Sequence, residues 1–399
     1  MNWPLISALG LCQIVSWGSL YYAIALLLEP LSLALGVHKE TVVGAYSLAL
    51  LIAGICSSPI GALIDRIGGR WVMTGGSVLA GLMLILLSRV QNVGQLYAIW
   101  ACLGVAMAAT LYDPIFAVLG QVYKGNQRKA ITIVTLFGGL ASSVFWPLTQ
   151  YLVAKYGWQQ ALLILASFHL LGCASVHAFM LPSGAKRLAI NQKFAALYPN
   201  PSVGSSKNLH QVLKDPSFYG LCLAFTISAL VFSAMSLYLL PVLQSKGLSA
   251  ATAAWVGALV GAMQVLGRIA EYVFLAKVRP THLGAGAMFL LPVALVILIT
   301  TSDSITTLAL FALIYGVGNG VLTIVRGAIP EELYGQENYG AVNGAMGTPV
   351  LIAKAAGPIT AALLLAQSGD LVNLVTWLAG LALMAAVVFT ITVYRYSRK

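Results

Sequence analysis

The sequence predicts an all-α integral membrane protein of twelve transmembrane helices in two six-helix, pseudo-symmetric bundles. Three observations support this fold class. First, 59% of the 399 residues are hydrophobic and only 8% charged, with a mean hydropathy of +0.89; a soluble domain carries roughly 25% charge on its surface. Second, the apolar residues fall in many runs of about 20, long enough to cross about 30 Å of hydrocarbon as a helix, which is how a chain satisfies its own backbone groups in lipid. Third, a single long polar connection divides those runs six and six.

In order, the spans run over 5–34, 41–63, 71–89, 95–122, 129–155, 158–181, 216–244, 250–276, 281–300, 305–329, 340–366 and 371–393. The first is long enough to tilt, or to carry a turn outside the membrane near Glu29-Pro30. The long connection contains Pro201, Gly204 and several serines, and gives an N-terminal bundle (1–182), a cytoplasmic linker (183–215) and a C-terminal bundle (216–399). Within it, Ala189 to Tyr198 reads either as a short amphipathic helix on the membrane surface or as an ordinary flexible loop. A shift of 206 residues lays Gly61 and Asp65 on Gly267 and Glu271, a faint internal repeat consistent with six plus six. The 39 glycines suit the close helix approach that small residues allow in a bilayer.

Charge sets the orientation. Alternate loops hold Arg66 and Arg70; Lys124, Arg128 and Lys129; Lys186, Arg187, Lys193, Lys207 and Lys214; Lys277 and Arg279; and Arg395, Arg398 and Lys399 at the C-terminus. The intervening loops hold only Lys39, Arg89, Lys155 and Lys246, and fifteen against four places both termini in the cytoplasm. The net charge of +11 has the same origin; no basic cluster is interleaved with aromatics, which rejects a nucleic-acid partner. Cys12, Cys56, Cys102, Cys173 and Cys222 fall inside apolar spans without close spacing, and read as small core residues rather than a disulfide framework or metal site. With no basic region ahead of its apolar run and no small-residue cleavage site after it, the N-terminus reads as a first helix. Asn200-Pro201-Ser202 is not a glycosylation acceptor because of its proline. A bacterial inner membrane is the simplest setting.

The most specific stretch is Gly61-Ala62-Leu63-Ile64-Asp65-Arg66-Ile67-Gly68-Gly69-Arg70, a short polar loop between the second and third spans. The positive-inside rule explains its arginines, but not Asp65 four residues after Gly61, nor the glycine pair. The string resembles the loop signature of the major facilitator superfamily, roughly G-x-x-x-D-R-x-G-R-R or R-K, with Gly69 standing where the family often has a first basic residue. That resemblance implies the MFS fold, alternating access by two bundles rocking about a site near the bilayer midplane, and a functional monomer. Asp65, Arg66 and Arg70 are then gating residues at the cytoplasmic surface, Asp65 accepting bonds from the N–H groups at the start of the eleventh helix. Glu271, its counterpart in the repeat, reads as a gate residue rather than a proton carrier.

With the loop charges set aside, Asp113 remains in the fourth span, Arg268 and Glu271 in the eighth, Arg326 in the tenth and Lys354 in the eleventh. A charge at the bilayer centre costs at least about 2.5–3.5 kcal/mol on insertion scales, so such residues face a cavity or one another. Lys354 sits near the midplane with Asn343 eleven positions earlier on the same helical face; it reads as a cavity counter-charge, the alternative being a lysine snorkelling to an interface. Arg268 has Gln264 at i−4 and Glu271 at i+3. Its guanidinium fork suits a carboxylate or phosphate, and the alternative is a local pair with Glu271. Asp113, ahead of Pro114, is the candidate for a coupling proton because burial raises a carboxylate's pKa. Pairing with Arg326, grouped with the gating residues, competes. Gln13, Trp17 and Tyr21 recur every four residues with Tyr22 beside them. A first helix in this family lines the central cavity, so they read as substrate contacts, with plain packing as the alternative. Asn319, Trp146 and Trp377 are weaker candidates, and His169 reads as a hydrogen-bonded core residue. Gly316-Val317-Gly318-Asn319-Gly320 looks like a phosphate loop but lacks the preceding strand and following lysine, so close helix packing explains it better. No cluster has metal-ligand spacing and no Ser/His/Asp arrangement sits on a soluble face, so no cofactor and no enzymatic activity are expected.

The sequence also departs from the family pattern. Trp100, four residues before Gly104, stands where members often carry an arginine, which removes that part of the expected charge relay. Trp146-Pro147 in the fifth span lacks the glycine pair that tends to follow a G-P in drug antiporters of the superfamily. Arg268 is similar to an arginine of carriers of monocarboxylates and related organic anions. The expected function is secondary active transport of a small organic anion, coupled to protons, with Lys354 and Arg268 as counter-charges and Asp113 as the proton site. Proton-driven efflux of an amphipathic drug or metabolite is the alternative, favoured by the aromatic stripe. A non-transporting membrane sensor or subunit is the reading from another class; such proteins usually carry an appended soluble domain, and this sequence stops six residues past its last span.

Overall fold

A computed structural model describes residues 3–123, 127–182, 209–275, 278–300, 304–334 and 339–397. All regular elements among them are helical, and the chain divides into two compact units, residues 1–201 and 202–399. Eleven apolar helical stretches are long enough to cross a bilayer. One of them, Ala130–Met180, has 51 residues, over twice the roughly 20 a crossing needs. It is interrupted at Gly157 (φ 82°, ψ 162°), a left-handed backbone conformation that favours glycine. This break separates the fifth and sixth spans, so the expected twelve crossings are accommodated. Ala189 to Tyr198 lies outside the described residues.

In the first unit, α1 (Trp3–Trp17) passes through a π-helical turn, Gly18–Tyr22, into α2 (Ile24–Leu35). Of the two alternatives for this span, the turn near Glu29-Pro30 is not formed. Pro30 lies inside α2, and the chain leaves the helix at Gly36 (φ 62°), where the Val37 N–H bonds Ser32 O at 3.1 Å in a glycine C-cap. The unit continues with α3 (Lys39–Ile67), α4 (Gly69–Leu87), α5 (Val93–Thr110), α6 (Tyr112–Val122), α7 (Gln127–Gly139) and α8 (Ala141–Ser167). A second π-helical turn, Phe168–Cys173, leads into α9 (Ala174–Met180). The fourth span is therefore two helices meeting at Leu111, and the fifth is broken at Leu140.

Residues 61–70 differ from the expected polar loop. Helix continues to Ile67 and resumes at Gly69, leaving Gly68 as a one-residue hinge with φ 88° and ψ 161°. The glycine pair has two separate causes. Gly68 supplies the positive φ, whereas a Cβ on Gly69 would collide with the Val118 side chain of α6.

The second unit comprises α10 (Leu209–Val212), α11 (Pro216–Ser245), α12 (Ala250–Ala270) with a π-helical turn Glu271–Leu275, α13 (Pro280–Thr300), α14 (Ile305–Tyr334), α15 (Tyr339–Ser368) and α16 (Leu371–Ser397). Its helices α11 and α12 begin on side-chain caps. Asp215 accepts from Ser217 N at 3.0 Å with Pro216 in the first turn, and Ser249 accepts from Thr252 N at 3.1 Å. The glycine run 316–320 is a packing seam. A Cβ on Gly316 would lie 2.5 Å from Val260 O of α12, one on Gly320 would strike the Gln264 backbone, and one on Gly318 would meet Leu290 of α13 at 3.0 Å. Alternate glycines therefore seat α14 against both neighbours. Cys12, Cys173 and Cys222 are buried as expected, Cys56 is half-buried, and Cys102 is exposed on the surface of its unit rather than in the core.

Candidate functional site

The first unit builds an aromatic surface on mended helix breaks. Pro114 has no N–H, so the carbonyl of Thr110, four residues earlier, has no helical donor from it. Gln13 fills that role from α1, its Nε2 donating to Thr110 O at 2.8 Å. Gln13 is wholly buried, and its Oε1 is left without a hydrogen-bond partner. Half of an amide expected to meet substrate is thus committed to the break between α5 and α6.

The π-helical turn has a comparable support. Ala23 N bonds Gly18 O at 2.8 Å, the i→i−5 bond of a π turn. Tyr46 OH donates to Tyr21 O at 3.2 Å and Trp146 Nε1 donates to Tyr22 O at 3.1 Å, so side chains of α3 and α8 satisfy carbonyls of the turn. The Phe145 ring occupies the place where a side chain at Gly18 would sit. On the turn itself, Ser19 Oγ donates to Val15 O at 2.7 Å and meets His169 Nε2 at 2.7 Å.

These supports align a continuous set of rings. Phe116 stacks on Tyr112 (5.3 Å, 10°), Tyr112 tilts against Trp17 (4.8 Å, 47°), and Trp17 meets Tyr21 edge-on (5.2 Å, 65°). Tyr21 continues to Tyr46, and Tyr46 to Trp100, while Tyr22 meets Trp146. Tyr21, Tyr46, Trp100 and Trp146 are at most 3% exposed, which makes them packing. Trp17, Tyr112 and Phe116 are half-buried and form the accessible part of the set. Trp17 and Tyr21 thus touch as their spacing implied. Tyr46, Tyr112 and Phe116 were not anticipated, and the one available signal was Trp100 standing in the family's arginine position.

Asp113 requires a correction. Expected to be buried, it is exposed on the surface of its unit, where its Oδ2 accepts from Ser57 Oγ at 2.7 Å. Position within a span sets depth but not facing, and Asp113 turns outward while Pro114 turns in. Arg66 is exposed; the half-buried Arg70 guanidinium lies 5.1 Å from the centre of the Trp71 ring. The side chains of Asp65 and Asn343 lie outside what is described.

In the second unit, Arg268 and Gln264 are each 5% exposed on α12, one turn apart, where Gly320 brings α14 against the Gln264 backbone. Asn319 of α14 is 9% exposed and donates Nδ2 to Tyr315 O at 3.0 Å. Glu271, half-buried, opens the π-helical turn after Arg268. Lys354 is half-buried in the middle of α15, and its carbonyl accepts from Ser233 Oγ at 2.6 Å. Arg326 is half-buried on α14. One feature was missed altogether: Glu332 caps α13 from α14, accepting from Thr281 N at 3.0 Å and Thr281 Oγ1 at 3.1 Å. Among the described residues, no group of three or more His, Cys, Asp or Glu could hold a metal ion.

Known proteins resemble this chain in sequence and in fold. The chain is 26% identical to monocarboxylate transporter 13 of Rattus norvegicus over 79% of this chain and 76% of that protein. It is 25% identical to monocarboxylate transporter 13 of Bos taurus over the same shares. A crystal structure of the nucleoside transporter NupG superposes with a TM-score of 0.76 at 12% identity, covering 98% of this chain and 99% of that one. A bacterial homologue of the human lysosomal transporter Spinster, inward-facing and occupied, gives 0.71 at 13% identity over 98% and 95%. Residues 9–348 match the family model of the Major Facilitator Superfamily, and the chain belongs to that family of membrane transporters.

Proposed function

We propose that this protein carries a small organic anion, a monocarboxylate in the simplest case, across the membrane by proton-coupled alternating access. The observation that carries the reading is Arg268, 5% exposed within an apolar helix. A guanidinium in that setting offers a planar fork matched to a carboxylate. Lys354, in the middle of α15, is the second counter-charge. Relatives named monocarboxylate transporters, matched over most of both chains, support the same class.

In the first unit, Trp17, Tyr112 and Phe116 supply apolar surface to the organic part of the substrate, with Tyr21 packed behind Trp17, and Gln13 Oε1 is a polar atom nearby without a hydrogen-bond partner. Asp113 is the proton site of this reading, with Ser57 Oγ donating to its carboxylate. Asp65, Arg66, Arg70, Glu271 and Arg326 act in gating, and Asn343 contributes a polar contact on the face of Lys354. The protein works as a monomer in an inner membrane with both termini cytoplasmic, as its charge distribution favours.

A thermal-unfolding screen of the purified chain against organic acids and amphipathic dyes tests this. A ligand at 100 times its Kd stabilises by about 2.7 kcal/mol. Stabilisation by carboxylates, lost in Arg268→Ala, is the expected result. Stabilisation by amphipathic dyes alone would replace this reading with efflux.

A further inference from the structure

We propose that His169 is a positioning residue for the aromatic surface of the first unit: through the Ser19 hydroxyl it holds the register of the π-helical turn Gly18–Tyr22. The proposal rests on the reading of Trp17 as a substrate-contacting residue, because the turn sets Trp17 against Tyr21.

Hydrogen-bond bookkeeping fixes the direction of the link. A serine hydroxyl has one proton, and that of Ser19 goes to Val15 O at 2.7 Å. Toward His169 Nε2, also at 2.7 Å, the hydroxyl can therefore only accept. Nε2 carries the imidazole proton and is the donor. The other ring nitrogen, Nδ1, is buried and without a hydrogen-bond partner, and the whole residue is 0% exposed. An unpaired buried nitrogen is unfavourable, and an apolar ring of similar size would avoid it. The imidazole is thus explained by what Nε2 does.

The link joins two irregularities. His169 belongs to the second π-helical turn, Phe168–Cys173, and Ser19 to the first. A π turn holds one extra residue, and its relaxation to α-helix would rotate one flank against the other by about 100°. Trp17 lies before the turn and Tyr21 within it, in edge contact at 5.2 Å. Tyr46 and Trp146 secure the carbonyls of Tyr21 and Tyr22 at the far end of the turn. The Ser19–His169 bond secures its near end, next to Trp17.

The full-length protein labelled with 5-fluorotryptophan reports the turn by 19F NMR without any ligand, Trp17 and Trp146 being assigned from their Phe variants. His169→Gln keeps an N–H donor near the Nε2 position, whereas His169→Phe keeps a ring and loses the donor. The Trp17 resonance should move in His169→Phe and in Ser19→Ala, move no further in the double variant, and stay in place in His169→Gln. Carboxylate affinity should fall about tenfold in His169→Phe and in Ser19→Ala and hold in His169→Gln. A Trp17 resonance unmoved by Ser19→Ala overturns the proposal. So does an equal shift in His169→Gln and His169→Phe, which would make His169 a space-filling residue. Should His169→Phe fail to fold, Ser19→Ala still decides. If the wild type binds no carboxylate, the functional reading fails while the spectra still test the positioning.

Discussion

Gln13→Leu separates a structural amide from a substrate contact. In the wild type, Gln13 Nε2 donates to Thr110 O at 2.8 Å inside the first unit, and Pro114 cannot take its place. Removing the amide leaves a buried carbonyl unpaired, at a cost of about 1–3 kcal/mol. The same substitution also removes Gln13 Oε1, which is already buried without a partner. That relief offsets part of the cost, so the net loss should lie near the lower end, about 1 kcal/mol. For a unit of 201 residues, this corresponds to a fall in Tm of roughly 2–4 °C, measurable by intrinsic fluorescence in detergent. Pro114→Ala supplies an N–H four residues after Thr110. If the helix can then close across Leu111, Gln13→Leu should cost less in that background. A Gln13→Leu protein that melts with the wild type but no longer binds substrate would refute the structural assignment, and would return Gln13 to the substrate contacts.

Two further substitutions examine the second unit. Gly320→Ala places a Cβ on the Gln264 backbone, so α12 and α14 must separate. We expect a loss of about 1–3 kcal/mol, together with weakened carboxylate binding because Arg268 lies one turn along α12; an unchanged Tm would refute the packing seam. Glu332→Gln keeps an acceptor for Thr281 but removes the charge at the start of α13. It should cost about 0.3–1 kcal/mol at low ionic strength, and the difference from wild type, followed by thermal unfolding, should shrink at high salt; a salt-independent difference would show that charge is not the cause.

The fold was legible because the bilayer imposes coarse requirements that composition and run length report directly. Even the division of Ala130–Met180 showed as polar residues around Gly157. The glycine run 316–320 was also readable, since a phosphate loop needs a strand and a lysine that are not there. The breaks within spans were less accessible. Pro114 announces an orphan carbonyl, yet its donor is 97 residues away in Gln13. The π-helical turns have no residue signature, and the side chains that secure the first of them come from three other elements. Asp113 was misjudged because sequence position gives depth without facing. Pro30 left a tilt and a turn both open, because a proline removes one helical bond without necessarily ending the helix.

Uptake of a radiolabelled monocarboxylate into proteoliposomes, driven by an imposed proton gradient, tests the proposed transport most directly. The wild type should accumulate substrate and lose it when the gradient is collapsed. Arg268→Ala and Lys354→Ala should each reduce uptake at least about tenfold, equivalent to 1.4 kcal/mol, while retaining folded protein. Uptake indifferent to the proton gradient, or unchanged in both variants, would contradict the assignment of these residues to an anion carrier.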